Sequence, residues 1–405
     1  MKYSGAEWIG NIPDDWSVRK IGQLYDERKV KVSDTDFPPL SVTMQGILPQ
    51  LATVAKTDAH DDRKLVKRGD FVINSRSDRR GACGIANQDG SVSLINITLQ
   101  PREGMNPIFM NWLFHTPAFA DEFYRNGQGI VDDMWTTRWC NMKRIYIPFP
   151  SLPEQSRIAS FLDDKCGKID EAIARQKAAI EKLDEYRKAV ITKAVTKGVR
   201  GEREMKESKV DWIGSIPVSW RCLRGKYGYS VLSGFPLDSN LFSNTDGFPM
   251  IRIRDITSGN IETYYTGTFP LQYLITSGDL LVGMDGNYNV RLWNNIDAVL
   301  NQRCCKITEN QNFVRKYLYY MLPLYLKRIN DVTFGTTVKH LSVPELHEAV
   351  LPTPSIEEQY EIVDFLDAKS ASIDSMKTRH EEIIKKLEEY KKSLIFNAVT
   401  GKIEC

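Results

Sequence analysis

No apolar run in this sequence reaches the roughly 18 residues needed to cross a bilayer. The first ten residues, MKYSGAEWIG, hold no apolar signal core. A cytoplasmic protein without membrane contact is the expectation. Cysteine is sparse and uneven in number. The seven in 405 residues include no CxxC pair, which speaks against a disulfide framework and for reduced, structural thiols. Adjacent Cys304 and Cys305 do not have metal-site spacing by themselves. Five histidines are scattered, and His340 and His347 stand seven apart, poor spacing for one metal. No charge of one sign dominates either. Lys and Arg total 54 against 52 Asp and Glu, a net of +2. Near-neutrality neither argues for nor excludes a nucleic-acid partner, because acidic helix faces can offset a local basic surface.

Chemical signatures are missing as well. There is no GxxxxGK[ST] loop, so no case for ATP binding. No glycine fingerprint opens a strand–turn–helix for a cofactor. Asn106-Pro107-Ile108-Phe109 imitates the (D/N)PP(Y/F) motif of DNA methyltransferases, but its third position is Ile. Pro13-Asp14 with Glu27-Arg28-Lys29 imitates a nuclease PD…ExK spacing, yet the matching place in the second half holds Val218. No nucleophile–base pair stands out.

What the sequence does have is a repeat. Residues 151–199 and 355–403 align without gaps: Gln155 with Gln359, Phe161 with Phe365, Asp163 with Asp367, Tyr186 with Tyr390. The offset is 359 − 155 = 204. Trp8-Ile9-Gly10-Asn11-Ile12-Pro13 with Trp16, and Trp212-Ile213-Gly214-Ser215-Ile216-Pro217 with Trp220, repeat at the same offset. Each half is therefore an opening motif, a region of about 130 residues that differs between the halves, and a long helix. Aromatic burial is the expected role of the opening motif.

Each long segment should be one helix of roughly 65–70 Å at 1.5 Å per residue. Ser151 with Glu154 and Ser355 with Glu358 fit a capping box. Apolar residues recur in steps of four and three: Leu162, Cys166, Ile169, Ile173, Ile180, Leu183, Val190 and Ala194, then Leu366, Ile373, Ile384, Leu387, Leu394 and Ala398. This is a coiled-coil-like seam interrupted by Gln176, Arg187, Lys377 and His380. A stripe of that length exceeds one domain's core, so the two helices are expected to pack on each other as a spacer.

The divergent regions share an order of events. Phe71–Ile73 and Val92–Leu99 read as strands and 107–125 as a helix. In the second half Leu280–Val282 and 297–307 read as extended and 313–329 as a helix. Boundaries follow as 1–150, 151–200, 201–354 and 355–405. The fold class is α+β, with two globular domains and two long antiparallel helices in an internal pseudo-twofold repeat.

The candidate contacts with DNA are loop residues. Arg76, Arg79 and Arg80 stand on one glycine-bounded loop. Trp135, Thr136 and Arg138 precede the first long helix. The second half offers Arg252, Arg254, Asn287, Tyr288, Arg291, Gln302 and Arg303, then Thr336, Thr337 and Lys339. Arginine pairs bidentately with guanine O6 and N7, and Asn or Gln with adenine N6 and N7. The same groups also hold phosphates without reading sequence. Thr136 and Thr137 fall on His340 and Leu341 by the 204 offset, so the two Thr-Thr loops are treated as similar without being strict equivalents.

With WIGNIPDDW and WIGSIPVSW, the two Gln…FLD…ID helix openings, and the helix ends AVTKG and AVTGK, the chain resembles the specificity (S) subunit of type I restriction–modification systems over its whole length. The resemblance implies two target-recognition domains, each reading half of a bipartite site in double-stranded DNA, with the helix pair setting the gap. It implies no catalysis, no metal and no cofactor in this chain. Two modification (M) subunits would bind S-adenosylmethionine and methylate adenine. Restriction (R) subunits would supply ATP-driven translocation and cleavage, with ATP and Mg on their side. Within the class, a system whose modification and cleavage functions share one partner chain fits the same residues. A coiled-coil scaffold binding proteins through its inserts is the alternative from another class, and a stand-alone enzyme is disfavoured by the missing motifs.

Overall fold

The computed structural model describes residues 1–50, 62–130, 135–332 and 340–405. Residues 1–178 and 380–405 form one compact unit, and residues 179–379 form a second. No helix among the described residues is long and apolar enough to cross a membrane.

The first unit is built on a four-stranded antiparallel sheet. Its strand order is Cys83–Ile85, Phe71–Asn74, Asn96–Pro101, Tyr25–Glu27. Phe71 and Phe114 (4.7 Å between rings) and Phe114 and Phe119 (4.6 Å) knit this sheet to the helices Pro107–Phe114 and Pro117–Arg125. Such aromatic pairs add about 0.5–1.5 kcal/mol each beyond their area. The segment expected as one helix over 107–125 is thus two, because Thr116 caps a new helix with Pro117 at its first position. Asn106 also caps: its side chain accepts from the N–H groups of Ile108 and Phe109. That accounts structurally for the methyltransferase-like tetrapeptide.

The second unit repeats the sheet. Val290–Leu292, Leu280–Gly283, Cys304–Glu309 and Tyr229–Ser233 follow one another in the same antiparallel order. It adds a five-stranded sheet absent from the first unit's described residues. In it Phe248–Ile251 runs parallel to Ala298–Leu300. The helix of this half, Arg315–Val332, contains Pro323. Its Tyr317 hydroxyl donates to the carbonyls of Val195 and Pro352 within the core. All seven cysteines are free thiols. Cys304 and Cys305 are fully buried strand residues, and burial pushes the Cys305 thiol up to about 12.

The opening motifs are anchors. Ile9, Ile12 and Trp16 are buried in the first unit, and Ile213, Ile216 and Trp220 in the second. Gly401 (φ +70°) ends a helix in the left-handed conformation, where a Cβ would collide with Pro13. In the second unit Lys197 Nζ donates to Ser215 Oγ at 3.0 Å. The same motif therefore seats on a long-helix end in each unit.

The two repeated segments are unbroken helices, Leu152–Lys197 and Ile356–Val399. In each unit the first part of one packs beside the last part of the other. Leu162, Cys166, Leu394 and Ala398 are buried in the first unit, and Ala194, Leu366 and Ile373 in the second. Cross-helix pairs fix the antiparallel direction. In the first unit Asp170 pairs with Lys391 at 2.6 Å and Gln176 with His380 at 2.5 Å. In the second Asp184 pairs with Lys377 at 2.9 Å and Asp374 with Arg187. The four polar interruptions of the seam are thus all partnered across it, which fixes register at little apolar cost. The capping boxes are only half realised. Ser151 and Ser355 accept from the N–H of Glu154 and Glu358. The carboxylates go elsewhere: Glu154 pairs with Arg157, and Glu358 with Arg203 and Trp220.

Candidate nucleic-acid interface

In each unit the central strand of the four-stranded sheet runs out into a loop, and the segment preceding a short helix laces onto it. In the first unit Ser75 O accepts from Thr137 N at 2.9 Å, and Arg76 and Thr136 form a single antiparallel bridge. In the second, Met284 O accepts from Leu341 N at 2.7 Å, and Asp285 bridges to His340 in the same way. Thr136 and His340 are 204 apart. The structure thus keeps the strict repeat offset here, and His340, not Thr336, is the counterpart of Thr136. Thr336, Thr337 and Lys339 lie outside the described residues.

Four of the six first-unit candidates, Arg76, Arg80, Trp135 and Thr136, meet at this place. Arg76 and Arg80 line a small cleft with Ser75, Tyr124 and Trp135. Thr136 Oγ1 donates to Ser75 Oγ at 3.0 Å. Trp135 Nε1 donates to Tyr124 O at 2.9 Å, and the two rings lie 5.4 Å apart. Arg80 lies over the Tyr124 ring at 3.9 Å and pairs with Asp121 at 3.3 Å. Arg76, Arg79 and Arg138 are exposed. Arg79 sits on the 3-10 turn Ser77–Arg79, and Arg138 immediately precedes the helix Trp139–Met142. The cluster presents two guanidinium groups, Arg76 and Arg80, beside an indole and a phenol.

The second-unit candidates divide. Arg252, Arg254, Gln302 and Arg303 line one cleft of about 570 Å³, with Phe242 and Asn301. Arg252 lies 6.0 Å from the Phe242 ring centre. Arg254 donates to Thr263 Oγ1 at 2.7 Å and lies 3.5 Å from Glu262. Below them Asp255 is fully buried. Burial raises its carboxyl pKa, against the pull of the Arg252 N–H donated to it. Asn287 is exposed on the turn after Asp285.

Two candidates are corrected. Tyr288 is buried in the core at φ +50°, so its ring offers no reading surface. Arg291 spends its guanidinium on the carbonyls of Ile256 and Thr257, fastening the helix Ile253–Ser258 to the sheet. Sequence reasoning also missed residues. Asp285 and His340 stand at the paired-loop position, with His340 Nδ1 and Asp285 Oδ1 2.7 Å apart and Arg303 3.5 Å from Asp285 Oδ2. The 204 offset already matches His340 to Thr136, but neither His340 nor Asp285 stands among the candidate contacts.

A family model for the type I restriction modification DNA specificity domain matches residues 231–385. The EcoBI specificity subunit of the type I restriction enzyme from Escherichia coli is 39% identical over 203 residues, 50% of this chain and 43% of that one. The chain thus spans less than half the length of that relative. The MjaVIII specificity subunit from Methanocaldococcus jannaschii is 25% identical across 97% of this chain and 94% of its own. A solved structure from work on the complex assembly and conformational transition of the type I R-M system superposes with a TM-score of 0.72 at 14% identity, covering 97% of this chain and 100% of that one. The crystal structure of an HsdS subunit from Thermoanaerobacter tengcongensis gives 0.52 at 15% identity, covering both chains fully. At these identities the structural likeness concerns the fold.

Proposed function

We propose that the chain, from its likeness to type I restriction–modification specificity subunits, is one of them and reads a bipartite site in double-stranded DNA, one half through each unit. The observation that carries the reading is the paired-loop locus. One backbone arrangement occurs in both units, and it presents Arg76 and Thr136 in one and Asp285 and His340 in the other. A fixed frame with unlike side chains is what two readers of unlike half-sites require.

The chain's own part is binding and positioning. Exposed arginines neutralise phosphates, so affinity falls as salt rises. Base edges are met by whichever guanidinium and amide groups reach the groove. The long helices would set the spacing of the half-sites and leave surface for two modification subunits. Those partners would hold S-adenosylmethionine and methylate adenine. Restriction subunits, with ATP and Mg, would add translocation and cleavage. The specificity chain itself is non-catalytic in this reading and works in the cytoplasm, where the DNA is.

The test is to co-express the chain with the methyltransferase encoded beside it and map methylated adenines across the genome. A bipartite motif is expected. Exchanging residues 20–147 for the corresponding region of another specificity subunit should change one half of that motif and leave the other. A contiguous motif, or an exchange that alters both halves, defeats the proposal. Within the first unit, Arg76→Ala should cost about 1–3 kcal/mol of binding and relax one position of one half-site. Equal weakening on every sequence would make Arg76 a phosphate contact.

A further inference from the structure

Three side chains from three separate segments meet in the second unit at the paired-loop locus. Asp285 follows the strand Leu280–Gly283, Arg303 precedes the strand Cys304–Glu309, and His340 precedes the short helix Val343–His347. The Asp285 carboxylate is divided between the other two. Its Oδ1 lies 2.7 Å from His340 Nδ1, and its Oδ2 lies 3.5 Å from Arg303 Nη1. Asp285 is 18% exposed and Arg303 56%. The carboxylate is thus seated, and the guanidinium stands out from it into the cleft shared with Arg252 and Gln302. The backbone also holds the group. Met284 N donates to Arg303 O at 2.9 Å, and Leu341 N to Met284 O at 2.7 Å.

A carboxylate this close to a guanidinium narrows what the arginine will bind. A phosphate drawn to Arg303 would be brought up against Asp285, and like charges repel. The edge of a base pair carries no such penalty. In the major groove a G·C pair places two acceptors, guanine N7 and O6, beside one donor, the cytosine N4 amino group. A guanidinium with a carboxylate at its side presents donors followed by an acceptor. Among the four orientations of base pairs, that order matches G·C. The equivalent place in the first unit holds Arg76 opposite Thr136, without a carboxylate at either position.

We propose that Arg303 and Asp285 together read one G·C base pair in the half-site served by the second unit, with His340 as a positioning residue that fixes the Asp285 carboxylate. This rests on the DNA-reading function proposed above and adds the identity of one base pair and the residues that select it.

The full chain is co-expressed with its methyltransferase, and the methylated motif is mapped for the wild type, Arg303→Ala, Arg303→Lys and Asp285→Asn. Lysine keeps the charge but lacks the planar fork. One position of one half-site should be G·C in the wild type. Arg303→Ala and Arg303→Lys should both lose discrimination there by roughly tenfold or more. Asp285→Asn should relax the same position, and the other half-site should stay intact in every variant. The intact half-site also shows that each variant is folded and assembled. Three results would overturn the inference: an unaltered motif, methylation reduced equally at all sites, or full rescue of discrimination by lysine. Each would leave the bipartite reading standing. A wild type with no bipartite motif would overturn both.

Discussion

Replacing Gln359 by Leu lowers the unfolding free energy by about 3 kcal/mol or more, the sum expected when three hydrogen bonds to main-chain groups are lost together. Gln359 is fully buried. Its Oε1 accepts from Val314 N at 2.7 Å, and its Nε2 donates to Asn312 O at 2.8 Å and Pro354 O at 3.1 Å. One amide thus ties the start of the second long helix to the segment that opens Arg315–Val332. Leucine fills the space but leaves these groups without their partner. Gln155 does the same work in the first unit with two bonds, from Asn106 N at 2.8 Å and to Pro150 O at 2.9 Å. Gln155→Leu should therefore cost less, about 2 kcal/mol. Urea denaturation of the purified chain measures both. Equal losses, or none at Gln359, would mean that water replaces the amide.

Glu358→Ala should be at least as damaging, at roughly 3–5 kcal/mol, because it strands one partner of a buried charge pair. Glu358 is 3% exposed and lies 2.6 Å from Arg203. It also accepts from Trp220 Nε1 at 2.9 Å. Arg203 has one further anchor, the carbonyl of Lys197 at 2.9 Å, and lies over the Trp220 ring at 5.2 Å. Without the carboxylate, a mostly covered guanidinium loses its countercharge and a buried indole N–H loses its acceptor. Glu358→Gln keeps an oxygen for Trp220 and should lose less. The repeat supplies an internal control. Glu154, the counterpart 204 residues earlier, pairs with exposed Arg157. Glu154→Ala should change stability by less than about 1 kcal/mol. Denaturation midpoints of the three variants decide the order.

These two residues show what was legible in the sequence and what was not. The gapless offset revealed the frame, because the opening tryptophans, the buried glutamines and most of the seam keep their residue types in both halves. The capping boxes were read from spacing alone, and spacing does not say that a carboxylate has a stronger partner elsewhere. Glu358 was taken by Arg203 and Trp220, which lie far off in sequence. The seam's polar interruptions looked like flaws because their partners sit on the other helix. In the candidate interface, residue types were read without their environments. Tyr288 has the chemistry of a base contact but takes a left-handed backbone that turns it into the core. Arg291 is consumed by carbonyls of a helix that no local pattern announced. The offset matches Thr136 with His340, but a match in register does not say that His340 meets Asp285, 55 residues away, at the loop.

The first unit is closed by residues 380–405. Leu394, Ala398 and Val399 belong to the same buried cluster as Trp16, Phe114 and Leu162. On the ribosome, the half made first is therefore the half completed last. Residues 179–379 form a contiguous unit and can close their own core as they emerge. The earlier half waits while those 201 residues are made, on the order of 10–40 s at about 5–20 residues per second. During that interval the apolar face of Ile158, Leu162 and Ile169 lacks its covering helix. The order of synthesis thus leaves the apolar surface of the N-terminal unit uncovered for longer than that of the second unit.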